Sequence, residues 1–299
     1  MADRSLTAGG GMAFGASHWQ GIAFMLAGTA LFTCNDALGK YMVASLSVGQ
    51  ILFVRSLSAL VILLPLAWRT GLREVFVVDQ PGRHLLRALL IVVEVSCFYL
   101  AVRHLPLADV MAVYQATPLI VTVLAIPLLG ERVGWRRGLA VCIGFAGVML
   151  VLRPAAGVFS APALIALGGS FCYALMMIAT RRLRKAGALT LILYHTLAVG
   201  LAGLLALPWG WRPLDMQSLL LLSLMGVVAT MAHMCVNQAL RLAPAATVVP
   251  YTYTSLIWAI LLGWVVFADL PTLPMLAGAG IIVVSGLFVL HRERQIGTS

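Results

Sequence analysis

Charge is what this chain has least of. Of its 299 residues 10% are Asp, Glu, Lys or Arg and 62% are hydrophobic, whereas a soluble domain is nearer half apolar and about a quarter charged. With a mean hydropathy of +1.01, that scarcity excludes a soluble globular fold. Strict apolar–polar alternation is also missing: runs such as Leu57–Leu66 and Leu219–Leu224 stay apolar without a period of two, which excludes a transmembrane β-barrel. The five cysteines, Cys34, Cys97, Cys142, Cys172 and Cys235, form no CxxC pair. They read as small buried hydrophobes, not as a disulfide framework or a zinc site. There is no G-x-x-x-x-G-K-[ST] loop for ATP, no H-E-x-x-H zinc motif and no G-x-S-x-G nucleophile elbow. ATP hydrolysis and membrane-embedded hydrolysis are therefore disfavoured, and neither metal nor cofactor is implied.

Long apolar runs fill the rest. About 20 apolar residues cross a hydrocarbon core as a helix, and dividing the runs at charges and turn residues predicts ten spans. These are 19–44, 48–68, 84–104, 107–129, 136–152, 160–181, 189–208, 217–240, 245–268 and 273–291. The chain reads as an all-α polytopic membrane protein with short tails at 1–18 and 293–299. The first span carries Asn35, Asp36 and Lys40 and lacks a small-residue cleavage site, so it is kept as a span and not as a signal peptide. The net charge of +10 is spread over the span flanks, which argues for topology signals and against nucleic acid. Placing the N-terminus inside puts 15 Lys/Arg on the cytoplasmic side: Arg4, Arg69, Arg73, Arg83, Arg87, Arg132, Arg136, Arg137, Arg181, Arg182, Arg184, Lys185, Arg241, Arg292 and Arg294. Three remain outside, Arg103, Arg153 and Arg212, so both termini are expected in the cytoplasm.

The chain also repeats. At a shift of 138, Ala101, Arg103, Pro106, Ala108, Val110 and Glu131 fall on Ala239, Arg241, Pro244, Ala246, Val248 and Asp269; at 140, Arg55 meets His195. Repeats of five spans each, 19–153 and 160–292, must be inverted because five is odd. Inverted repeats recur in secondary transporters, with the binding site near the bilayer midplane between the halves.

Four ionisable residues, Asp36, Lys40, Arg55 and Glu94, sit inside predicted spans. A charge at the bilayer centre costs roughly 2.5–3.5 kcal/mol on insertion scales, so such groups face a protein interior or a hydrated path. Asp36 and Lys40, four apart, share a helix face and can pair; with Asn35 beside them they read as a polar notch or protonatable switch for substrate, or as a self-neutralised pair steadying the first span. Arg55 either holds an anionic or carbonyl group, pairs with Glu94 or Asp36, or snorkels outward. Glu94 reads as a proton-coupling or substrate-contact residue, or as half of an internal salt bridge. His195 and His233 are weaker candidates for the same path. Tyr114, Gln115 and Thr117, Asn237 and Gln238, and Tyr251, Tyr253 and Trp258 offer hydrogen bonds and flat stacking surfaces, while Trp19 and Trp209 suit the interfacial belt. Pro118, Pro127 and Pro250 can kink their spans. Gly144, Gly147, Gly278, Gly280 and Gly286 permit close helix approach, within the fold or at a homodimer surface.

The stretches "NDALGKYM", "GQILFVRS", "YLAVRHLPLADVMAVYQATPLIVTVLAIPLLGER" and "NQALRLAPAATVVPYTYTSLIWAILLGWVVFAD" resemble the drug/metabolite transporter superfamily, in its EamA-type form. The resemblance spans roughly residues 19–292. It implies ten helices in two inverted five-helix repeats around a central cavity, in the bacterial cytoplasmic (inner) membrane. It further implies a secondary transporter or exchanger of a small organic metabolite and not an enzyme; alternating access is the leading reading, with an ion or proton gradient, exchange or downhill facilitation as the source of free energy. Asn35-Asp36, Lys40, Phe53 and Arg55 look most like the riboflavin-transporter branch, which suggests riboflavin or a similar vitamin taken up. Amino-acid exporters are the close alternative, and a channel or membrane-embedded enzyme the different-class one. Two acids and two bases suit a neutral or zwitterionic cargo better than a polyanion.

Overall fold

The computed structural model describes residues 8–130, 134–153, 160–183 and 186–297. Glu131, Arg132, Arg184, Lys185 and Arg4, used above for the repeat and the orientation, lie outside them. The helices are α1 (Ala8–Val43), α2 (Val48–Thr70), α3 (Leu72–Phe76), α4 (Pro81–Val102), α5 (Leu107–Tyr114), α6 (Thr117–Leu129), α7 (Trp135–Leu152), α8 (Ala161–Arg182), α9 (Ala188–Ala206), α10 (Met216–Leu242), α11 (Ala245–Val248), α12 (Thr254–Phe267) and α13 (Leu273–Gly297). Ten stretches, from Trp19–Val43 to Leu273–Arg292, are long and apolar enough to cross a membrane, and they fall in the predicted order.

Local chemistry starts several of these helices. Ser47, Ser160 and Asp215 each accept a backbone N–H three residues on, from Gln50, Ala163 and Ser218, satisfying a donor that a helix start leaves without an internal partner. The hydrogen bonds from Ser218 hold the exposed Asp215 carboxyl below its ordinary range. Two helical stretches lie outside the expected spans. The N-terminal stretch is helical from Ala8 instead of a loose tail up to residue 18; glycines 9, 10, 11 and 15, poor helix formers, hid the continuation. The short helix α3 was not expected at all.

The packing repeats as the sequence does. Where α1 packs on α10, α8 packs on α4; α2 on α10 is matched by α9 on α4, and α1 on α12 by α8 on α6. The pairs α2·α9, α5·α12 and α7·α13 each join corresponding spans of the two halves. Both fourth spans are broken. In the first half α5 ends at Tyr114 and α6 starts at Thr117 with Pro118 in its first turn; in the second, a 3₁₀ turn at Val249–Tyr253 carrying Pro250 precedes α12. The ninth span was expected as one run. It is interrupted because proline has no N–H to donate and clashes with the preceding turn. Each fourth span ends on a left-handed residue, Gly130 (φ 69°) and Ala268 (φ 56°), which are 138 apart like the sequence matches.

Close glycine contacts set helix spacing. A Cβ at Gly147 of α7 would lie 2.8 Å from the Gly278 carbonyl oxygen of α13, and one at Gly278 would lie 2.6 Å from that of Gly147. Gly144 and Gly286 also pack inside the fold, whereas Gly280 faces open space. The G147L variant should therefore lose about 1–3 kcal/mol by overpacking. It should melt at a lower temperature in detergent, while G138A, which meets nothing within 4 Å, should melt like the parent. Equal melting of the two variants would refute the close α7–α13 contact.

Candidate functional site

The two halves meet around a cavity of about 280 Å³ lined by residues of α1, α2, α4, α5, α8, α9 and α10. Its charged residues are Asp36, Arg55, Arg87 and Glu94, and its walls carry Phe32, Phe98, Tyr99, Tyr114 and Tyr173. Helical spacing explains much of this. Arg87, Ile91, Glu94 and Phe98 recur at steps of four, three and four, so one stripe of α4 faces the cavity.

Arg55 donates from Nη1 to the Tyr99 hydroxyl at 2.5 Å, and its guanidinium carbon lies 5.6 Å from that ring's centre. Tyr99 is 1% exposed and seated against Gly39 of α1, where a Cβ would collide with its ring. Tyr114 donates to the backbone carbonyl of Glu94 at 3.3 Å and packs against Gly169 of α8 in the same way. Phe98 stands edge-on to Tyr99 and Tyr114, with centroids 5.7 and 5.4 Å apart. The His195 and His233 rings are 5.7 Å apart, and Phe32 meets His233 edge-on at 4.8 Å. Arg87 donates from Nε to Thr180 Oγ1 at 2.8 Å and from Nη1 to the Leu191 carbonyl at 3.1 Å.

The two carboxylates interact electrostatically with each other and with Arg55. Yet among the described residues the one ion pair within 4.0 Å is Lys40–Asp269. Asp36, Glu94, Arg55 and Arg87 thus surround the cavity without closing on one another. Buried charge demands compensation, and here water or a bound polar molecule has room to supply it.

Of the expected site residues, Asn35, Asp36, Arg55, Glu94, Tyr114 and His195 line this cavity, together with His233. Lys40, Gln115, Asn237, Tyr251 and Tyr253 do not. Of the two readings of Asp36 and Lys40, the self-neutralised pair does not form. Lys40 reaches Asp269 at 2.5 Å, with its ammonium 4.6 Å from the Phe267 ring centre, because a span end brings it against the C-terminal end of α12. Gln115 donates to the Thr252 carbonyl (3.0 Å) and Ser255 Oγ (2.5 Å), tying one broken span to the other. Tyr251 packs with Met25, Ala239, Ala243 and Val248. Tyr253 is buried with its hydroxyl against Gly286, and Asn237 is half-buried on α10.

Sequence reasoning missed Arg87, Tyr99 and Tyr173. Arg87 read as a cytoplasmic flank, although it lies seven residues before Glu94 on one helical stripe. That spacing was the available signal. Removing the hydroxyl in Y99F should cost about 1.5–3 kcal/mol, the range for a hydrogen bond to a charged group. Thermal unfolding in detergent checks this, and a melting temperature unchanged from the parent would contradict it.

Comparison with known proteins adds the following. The family model described as "EamA-like transporter family" matches residues 19–153 and again 160–291. The chain is 30% identical over 283 residues to a riboflavin transporter of Vibrio cholerae, covering 92% of this chain and 94% of that one. It is 23% identical to an S-adenosylmethionine uptake transporter of Rickettsia bellii, over 92% and 94% of the two chains. It is also 23% identical to a pseudopaline exporter of Pseudomonas aeruginosa, over 92% and 97%. A solved crystal structure superposes with a TM-score of 0.63 at 15% identity, covering 94% of this chain and 99% of the other.

Proposed function

Because the chain belongs to the EamA-like transporter family, and so is an integral membrane transporter of a small molecule and not an enzyme, we propose that it takes up riboflavin or a similarly planar vitamin by alternating access. The observation that carries this reading is the cavity between the halves. It holds two acids and two bases that do not pair off, inside an aromatic wall. Two acids matched by two bases favour neutral or zwitterionic cargo over a polyanion. Flat rings on several sides favour a planar one. The Vibrio cholerae relative, named for riboflavin transport, supports the same choice.

Ties across the halves sit at both ends of the cavity. At one end Lys40 of α1 holds Asp269 after α12, and Gln50 donates to the Arg212 carbonyl at 2.7 Å. At the other, Arg87 of α4 holds α8 and α9, and the Arg182 guanidinium of α8 bonds the Leu128 carbonyl of α6. Beyond Arg87, a polar vestibule lined by Glu74, Asp79, His84, Arg181 and Thr190 opens at the arginine-rich end; His84 and Arg87 are one turn apart on α4. Alternating access here means breaking one set of ties while the other holds. With the arginine-rich end and both termini in the cytoplasm of a bacterial inner membrane, the Lys40–Asp269 tie is the outer closure and the Arg87 ties are the inner one. Asp36 and Glu94 are the acidic groups of the cavity, beside the His195 and His233 imidazoles, which makes the two carboxyls the first coupling candidates, with substrate exchange as the other route.

The balanced charges also suit amino acids, whose export is the second reading. Proteoliposomes loaded with unlabelled riboflavin should drive saturable accumulation of labelled riboflavin, and E94Q should abolish that counterflow or its pH dependence. Counterflow and thermal stabilisation by amino acids but not by flavins would replace the first reading with the second. The ties make a separate prediction. In a cysteine-free background carrying M111C on the cavity wall, D269N should speed labelling by an impermeant maleimide from the Lys40 side, and R87A from the vestibule side. The same side for both would overturn the assignment of the closures.

A further inference from the structure

A further concavity, of about 190 Å³, runs down the outside of the bundle between α4, α6 and α8. It shares no lining residue with the central cavity. Arg83, Leu86 and Leu90 enter it from α4 at steps of three and four; Leu175, Ile178, Ala179 and Arg182 enter from α8; Leu128 closes it from α6. Its walls are therefore aliphatic along about 10 Å of helix, the rise of seven residues. Both of its charged residues are cations near one end, and no acidic residue lines it.

We propose that this groove binds one anionic glycerophospholipid, with its phosphate on Arg83 and Arg182 and an acyl chain laid along Leu86, Leu90, Leu175 and Ile178. The chemistry of the lining selects that class. A guanidinium carries five N–H donors in a fork that suits a phosphate. Among the described residues Arg83 gives one bond to Gln80 Oε1 at 2.6 Å and Arg182 one to the Leu128 carbonyl, so each keeps donors for a ligand. Both side chains are exposed. The groove also faces outward from a bundle whose surface carries exposed Leu85, Leu86, Leu89, Leu128 and Leu164, the side on which hydrocarbon chains lie. A soluble anion would use the arginines and leave the aliphatic floor uncovered; a neutral lipid would cover the floor and leave the arginines to water. One anionic phospholipid satisfies both parts. It would also bridge α4 and α8, which belong to different halves, beside the Arg182–Leu128 bond.

The test uses the protein purified in detergent. Dioleoyl phosphatidylglycerol, dioleoyl phosphatidylcholine and inorganic phosphate are compared by native mass spectrometry and thermal unfolding. Two arginines at a membrane surface should give phosphatidylglycerol about a tenfold or greater preference over phosphatidylcholine, with a higher melting temperature. R83Q/R182Q should erase the preference. L90W, which fills the groove and spares both arginines, should erase it too, so the inference stays testable if the double variant fails to fold. Equal retention of the two lipids, an equal effect of inorganic phosphate, or a preference that survives L90W would overturn it.

Discussion

The cost of placing charge in hydrocarbon governs this molecule. Asp36, Arg55, Arg87 and Glu94 are held within membrane-crossing helices, and a bilayer offers them neither water nor counter-ions. They are stable where two five-helix halves turn their polar stripes toward each other and their apolar stripes outward. The outward stripes are visible as exposed Val61, Leu89, Val93, Ile257 and Val284. Seating the charges fixes other residues in turn. Tyr99 must stand against Arg55, so Gly39 must have no side chain; Tyr114 must reach the Glu94 carbonyl, so Gly169 must have none. The Gly39 and Gly169 contacts, the aromatic wall and the orientation of α4 all follow from keeping those four charges out of lipid.

Much of the fold was legible because a bilayer leaves few alternatives. With every backbone polar group needing an internal partner, an apolar run of sufficient length has to be a helix, and ten such runs were readable from charge and turn residues alone. The duplication was readable too, and its deepest trace is conformational: Gly130 and Ala268 share a left-handed backbone at the shift that aligns Arg103 with Arg241. The site was legible in part. Glu94 and Arg55 announced themselves by depth. The partner of Lys40 did not, because spacing of four allows a pair with Asp36 but does not fix which neighbour each side chain meets; Asp269 arrives from 229 residues away. Arg87 was hidden for the opposite reason. It sits near a span end, where arginine usually signals topology, yet the stripe it shares with Ile91 and Glu94 turns it inward. Gln115, Tyr251 and Tyr253 looked like cavity groups because they are polar amid apolar text. Gln115 instead joins the two broken spans to each other, and the tyrosines fill space between helices.

The balance between the halves has a quantitative side. The cross-ties made by Lys40, Arg87 and Arg182 are hydrogen bonds to a charged group, worth about 1.5–3 kcal/mol net each, and the neutral Gln50–Arg212 bond is worth about 0.5–1.5 kcal/mol; each end of the cavity has only a few. Two conformations that exchange one set for the other would then differ by a small multiple of RT, while packing within each half stays intact. A ligand moves such an equilibrium only by its differential affinity for the two states; shifting it from 1:99 to 99:1 takes about 5.5 kcal/mol. The unpaired charges are suited to supply that difference. A polar ligand seated between Asp36, Glu94, Arg55 and Arg87 compensates groups that otherwise rely on water. It also competes directly for Arg87, whose remaining bonds hold α4 to α8 and α9. On the proposed alternating-access reading one residue thereby belongs to both the binding wall and the closure, which would couple occupancy of the cavity to the strength of the inner tie without any longer relay.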